Sequence, residues 1–313
     1  MNSVNVIFDT NVYRNLTFGL SQIETIDLFN RIKEVEISRK ISVGLSGITA
    51  MELISHLARR DDKGFENCKL ATIGAGIHSD HFFPIYKLHL QQLVFGRLDS
   101  SDIDAMNGIS KLVDQISKND PEKIINQYSE QIKGIYEIVQ LHKSDFISTY
   151  HQAVAKVDPT GSNNHIFKQS KQHRIQLLNF LKTPQAVLWL AQGYFDKTIK
   201  GRSHNFSQLD AELKISEIAR CFKTAFSLHV KLIERIATTG YDMTNNKKNR
   251  ANTIFDIYQL FCINDETMRG KRSIFVTDDI WLKEAAVDSG FPEKVLDSKT
   301  YFKILELEYK SDL

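Results

Sequence analysis

The sequence predicts an α/β protein with a mostly parallel sheet flanked by helices, interrupted by a long all-helical insertion. Short apolar, β-branched runs alternate with helical segments at both ends of the chain, the pattern of a parallel sheet with helices on both faces. Apart from a Gly- and Ala-containing stretch at Ala71–His78, residues 61–246 lack such runs and read as one helix after another. Five prolines and 15 glycines in 313 residues leave long helices uninterrupted.

Taken in order, Val4–Phe8 is a compact apolar run stopped by Asp9, as a buried strand should be. A helix at about Gln22–Val35 and a second strand at Ile41–Ser46 follow, and Thr49 stands at the N-cap of a helix over Ala50–Arg60. Within the middle segment, Ser101 with Asp104, Asp120-Pro121 and Thr183-Pro184 each open a helix, and Asp158–Asn164 is the one clear linker. Ala251–Asn264 is a strongly apolar helix, and Ser273–Thr277 a strand stopped by Asp278 and Asp279. The next helix runs to Ser289, where Gly290 and then Pro292 end it. Lys294–Leu296 is a short strand and Ser298–Glu308 a closing helix. No repeat of fixed period interrupts this order. The economical division is one discontinuous domain, 1–60 plus 247–313, split by the insertion 61–246.

With 42% apolar and 25% charged residues the composition is that of an ordinary globular protein. Lys+Arg of 40 against Asp+Glu of 38 gives a net charge of +2, so any nucleic-acid footprint must be local. The longest charge-free stretch, Thr183–Phe195, falls well short of the ~20 residues that span a bilayer. With no basic n-region and no cleavage site, the N-terminus is not expected to be a signal peptide. Cys68, Cys221 and Cys262 are spaced for neither a disulfide framework nor a zinc knuckle. The expectation is a cytoplasmic protein outside the membrane.

Ligands of open parallel sheets sit beyond the carboxyl ends of the strands. Two predicted strands end in acids: Asp9, within Asp9-Thr10-Asn11, and Asp278-Asp279 after Thr277. Glu52 and Asp256 lie on flanking helices. Asn252, Asp256 and Gln259 form the narrow polar stripe of an otherwise apolar helix. A buried carboxylate there costs several kcal/mol unless something positive faces it, and that helix supplies no lysine or arginine. Carboxylates gathered at one sheet edge select a hard cation, Mg²⁺ or Mn²⁺. Such an ion is equipped for phosphodiester hydrolysis.

Asp9-Thr10-Asn11, Thr49–Glu52, Asp256 and Thr277-Asp278-Asp279, in that order, resemble the motifs of the PIN-domain nucleases. The resemblance covers roughly residues 1–60 and 247–300. It implies a Rossmann-like α/β/α sandwich that uses Mg²⁺ or Mn²⁺ to cleave single-stranded RNA by in-line attack of water, without a covalent intermediate. By matching positions, Asp9, Glu52, Asp256 and Asp279 are the catalytic metal acids. Asp278 is an adjoining metal residue, and Asn11 and Thr277 are supporting groups. Family habit extends this to a toxin or antiviral defence effector, with a protein partner or regulator on the insertion.

Plainer roles compete for the same residues. Thr49-x-x-Glu52 is also a capping box, and one of Asp278 and Asp279 should cap the following helix, with Asp279 the one expected to stay free for metal. His78 and His81 lack a second pair at zinc spacing and read as loop or surface histidines. His56, four residues after Glu52, reads as an ordinary partly buried histidine. Lys247, Lys248 and Arg250, just before the Asp256 helix, are the first candidates for phosphate contacts. Lys168, Lys171, His173 and Arg174 form a weaker patch, and Lys197, Lys200 and Arg202 another short basic cluster. Two other functions fit the motifs: a haloacid-dehalogenase-like phosphatase with Asp9 as nucleophile, and a non-catalytic PIN-like scaffold binding RNA or protein. The phosphatase needs an acid two residues after Asp9, where this chain has Asn11.

Overall fold

The computed structural model describes residues 4–157, 171–202, 205–239, 252–263 and 272–307. The chain begins with β1 (Val4–Phe8), α1 (Thr10–Thr17), α2 (Gln22–Ser38), β2 (Ile41–Ser46) and α3 (Gly47–Ser55). It continues through α4 (Phe65–His78), β3 (His81–Phe83), α5 (Tyr86–Phe95), α6 (Ser100–Lys118), α7 (Pro121–Gln127) and α8 (Ser129–Val157). Helices α9 (Lys171–Leu181), α10 (Pro184–Ile199), α11 (Gln208–Cys221) and α12 (Lys223–Thr239) follow. The last part is α13 (Thr253–Leu260), β4 (Arg272–Val276), α14 (Ile280–Asp288), β5 (Val295–Leu296) and α15 (Ser298–Leu305). Among the described residues no helix is long and apolar enough to cross a membrane.

The strands form one five-stranded sheet in the order β3-β2-β1-β4-β5, parallel at every pairing. The chain starts in the central strand, builds outward through β2 and β3, then returns to the other side of β1 with β4. That reversal puts a topological switch point at the carboxyl ends of β1 and β4, where such sheets open a crevice. β1 is paired on both edges and covered on both faces, so Val6, Ile7 and Phe8 are fully buried and the strand reads as a mostly apolar run.

Three local expectations are corrected. Helix α3 starts at Gly47 rather than after Thr49, because the Ser46 hydroxyl accepts from the amide of Ile48. Thr49 already lies in the first turn, where its hydroxyl faces the carbonyl of Phe8 and Oε1 of Gln259, each at 3.3 Å. Helix α1 follows β1 directly, after the single residue Asp9. The segment 61–246 is not all helical: β3 pairs with β2 and supplies an edge of the sheet. Three residues are too few to show a strand period.

The helices between α4 and α12 share one buried apolar cluster with the sheet. Helix α8 packs on α3, and α12 packs on α13 and α14. Close approach is built in at α4, where a Cβ on Gly74 would fall 2.2 Å from the buried ring of Phe29 on α2. The linker Asp158–Asn164 lies outside the described residues.

His78 is a core residue, not a surface one. It is 0% exposed at the end of α4, enclosed by the rings of Phe8, Tyr13 and Phe29. Its Nε2 faces the Glu36 carboxylate at 2.8 Å, its Nδ1 meets the Tyr13 hydroxyl at 3.1 Å, and Tyr301 donates to Glu36 at 2.6 Å. Because the carboxylate only accepts, the proton of that contact is on Nε2.

Candidate active site

Asp9 directly follows β1, and Thr277 directly follows β4. The Phe8–Val276 register sets these two residues side by side. Thr277 donates to Oδ2 of Asp9 at 2.8 Å, and the Asp9 amide bonds Val276 O at 2.9 Å. Asp9 is only 1% exposed. Burial pushes its carboxyl up to about 6, with Asp279 adding to the rise, against the pull of Thr277 and the Gln259 amide.

Glu52 projects from α3 towards the same place. It accepts from Thr10 at 2.7 Å and from Nε2 of Gln259 at 3.1 Å. These partners replace the capping box, since Ser46 and not Thr49 is the N-cap. Burial, with Asp9 adding to it, raises Glu52 to about 7 against the pull of Thr10, Lys143 and Arg14.

Asp256 and Gln259 lie on one face of α13, as their spacing predicts. Burial lifts Asp256 well above the ordinary carboxylate range, and Asp9, Glu52 and Asp279 all add to it. Every charged group that shifts Asp256 is an acid. The sequence demanded a cation opposite this residue; among the described residues the charged groups that act on it are carboxylates.

The residue expected to stay free, Asp279, is the one that caps the next helix. Asp279 is the N-cap of α14, with its Oδ1 accepting from the Leu282 amide at 3.1 Å. The chain leaves β4 at Val276 and enters α14 at Ile280, so the cap falls on Asp279. It nevertheless acts electrostatically on Asp9 and Asp256. Asp278 turns towards α15, where it accepts from the amide and hydroxyl of Ser298, and it also takes a bond from Asn15 at 3.0 Å. Asn11 is exposed on α1, and His56 pairs with Asp62 at 2.9 Å, not with Glu52. Lys247, Lys248 and Arg250, like Lys168, lie outside the described residues.

Sequence reasoning gave no role at the site to four contributors, although it had already placed Gln259 in the polar stripe with Asp256. Thr10 and Gln259 hold Glu52 from 42 and 207 residues away. Arg14 sits one turn after Thr10, with its Nε buried and without a hydrogen-bond partner. Lys143 comes from α8, where its ammonium lies 5.5 Å over the ring of Phe255. Burial lowers its pKa, while Glu52 pulls the other way. No ion pair joins Lys143 to Glu52 among the described residues. The i, i+4 spacing of Thr10 and Arg14 was a usable signal; nothing local marks Lys143.

No protein-family model, curated protein or solved structure matches this chain. Among the described residues no three His, Cys, Asp or Glu side chains are set to hold a metal ion. The donor chemistry nonetheless suits a hard divalent cation. The acids supply only oxygen, and three of them are raised by burial and by one another. A cation among them relieves both causes.

This predicts how the metal-free protein responds to Asp9→Asn. A carboxyl raised from 3.8 to about 6 destabilises the fold in its charged form. The cost is absent below pH 4 and complete above pH 6, on the order of 2–3 kcal/mol. In EDTA, Asp9→Asn should therefore match the wild type near pH 4 and exceed it by roughly that amount at pH 7–8. The comparison must be between the two proteins, because His89 and His229, driven down to about 4 by burial, add an opposite slope common to both. Chemical denaturation across pH measures the difference; a pH-independent gap would contradict the assigned burial of charge.

Proposed function

We propose that the chain is a metal-dependent nuclease of PIN-like architecture that hydrolyses phosphodiester bonds of single-stranded RNA. The observation that carries this reading is the surplus of negative charge at the switch point. Asp256 is raised by burial and by Asp9, Glu52 and Asp279, and among the described residues no cation appears with them. Uncompensated buried carboxylates are costly and occur where function demands them.

Asp9, Glu52, Asp256 and Asp279 would hold Mg²⁺ or Mn²⁺. That ion would supply Lewis-acid polarisation of a phosphoryl oxygen and lower the pKa of water. Thr277 orients Asp9, and Thr10 with Gln259 orients Glu52, so the acids are fixed by neighbours that carry no charge. Asp279 serves through the oxygen not used on Leu282. Lys143 and Arg14, on the Glu52 side, meet the phosphate and balance charge that builds up on its oxygens. Asp278 is committed to Ser298 and stands as a structural neighbour of the site.

The test incubates the full chain with single-stranded RNA and single-stranded DNA, with Mn²⁺, with Mg²⁺ and with EDTA. The expected result is RNA cleavage that requires the metal and stops with EDTA. Cleavage that persists in EDTA, or no cleavage of either strand under any condition, overturns the reading.

A further inference from the structure

The basic cluster Lys197, Lys200 and Arg202 belongs to a cavity away from the acids. Lys200 and Arg202 follow the end of α10, and α5 forms the facing wall with Tyr86, Lys87 and Gln91. The cavity has a volume of about 280 Å³. Four of its lining residues are cationic, and none is an aspartate or glutamate.

The four cations are not equivalent. Arg202 is held by Asp99 and stacks on Phe95 with its guanidinium carbon 4.7 Å from the ring centre. It is a fixed part of the wall. Lys87, Lys197 and Lys200 make no ion pair among the described residues, and all three are exposed. Their field reaches α8: His142 is pushed down first by burial and then by Lys197 and Lys87, against the pull of Asp145. Three unpaired ammonium groups exceed what one carboxylate neutralises, whereas a phosphate monoester carries up to two charges and a polyphosphate more.

The cavity also has a polar, partly aromatic lining. Gln91 is 1% exposed, and its Nε2 donates to Asp102 at 2.7 Å. That bond fixes the amide orientation and leaves Oε1 as a buried acceptor without a protein donor. Tyr86 lines the cavity and stacks on Tyr258 of α13 with ring centres 4.0 Å apart. The helix that carries Asp256 is thus in contact with the cavity wall.

We propose that this cavity is a binding site for the phosphate groups of a nucleotide. Lys87, Lys197 and Lys200 take the phosphate oxygens, and the tyrosines and Gln91 face the body of the ligand. The phosphate comes either from a free nucleotide or from the 5′ end of a strand. This site does not depend on the nuclease reading, because none of its residues is among the acids.

Binding is measured by calorimetry on the full chain carrying Asp9→Asn, in EDTA and low salt, so that strands survive whatever the wild type does to them. The probes are ATP, AMP, adenosine, and a short single-stranded RNA with or without a 5′-phosphate. ATP should bind more tightly than AMP, and adenosine should not bind. Affinity should fall steeply with added salt. The double substitution Lys197→Gln/Lys200→Gln, at two exposed positions, should weaken ATP at least tenfold. A strand preferred for its 5′-phosphate, and losing that preference in the double variant, assigns the site to strand ends; ATP binding without such a preference assigns it to free nucleotides. No binding by any probe, or equal binding by the double variant, overturns the proposal. Cleavage of RNA by the wild type is read separately and stands or falls alone.

Discussion

Asp9→Asn should reduce metal-dependent RNA cleavage by about 10²–10³-fold while the protein stays folded. The estimate follows from the several kcal/mol that a bound ion contributes to a charged transition state, at one power of ten per ~1.4 kcal/mol. Asparagine keeps an oxygen for the Thr277 hydroxyl, so the junction between β1 and β4 is retained. It removes one charge from a site where Asp279, Glu52 and Asp256 are all coupled to Asp9. The same substitution is expected to stabilise the metal-free protein above pH 6, so loss of cutting cannot be ascribed to unfolding. A gain in stability joined to a loss of function is the signature of a site strained for its task. Circular dichroism and a gel-based cleavage assay on one preparation decide it. Activity within a few-fold of wild type would remove Asp9 from the catalytic set.

Glu36→Ala should cost about 3–5 kcal/mol of stability, the usual penalty for breaking a buried charged network by removing one partner. Glu36 is 1% exposed on α2 and takes bonds from His78 on α4 and Tyr301 on α15. Alanine leaves the His78 N–H and the Tyr301 hydroxyl without an acceptor, each a desolvated donor costing roughly 1–3 kcal/mol. The Tyr13 hydroxyl extends the network to α1, so four helices are tied through one carboxylate. Glu36→Gln keeps an acceptor for Tyr301 and should lose distinctly less. Urea denaturation at pH 7 of both variants gives the comparison. A loss below 1 kcal/mol for the alanine variant would show that these helices are held by their apolar faces alone. The network lies behind Phe8, the residue before Asp9, with the His78 ring 4.7 Å from that phenyl ring.

How much was legible from sequence varied with how local each cause is. Val4–Phe8 and Ile41–Ser46 coincide with β1 and β2, because a strand buried on both faces is rich in apolar and β-branched residues and leaves a visible run. β3 escaped because His81–Phe83 is short and polar at its start, and its partner Gly44 lies far back in the chain. The Asp256–Gln259 stripe was readable because a helix repeats every 3.6 residues. The partners of Glu52 were not, because Thr49-x-x-Glu52 spells a capping box unless one knows that Ser46 has already taken the cap.

The sequence by itself determined the class of fold, the two central strands and the acids that end them, since propensity and hydrophobic period act over a few residues. Only the tertiary structure decided which acid caps α14, that His78 belongs to the core, and that Lys143 and Arg14 stand beside Glu52. Those outcomes depend on charge and burial across space, where groups hundreds of residues apart in the chain become neighbours and water is excluded from between them.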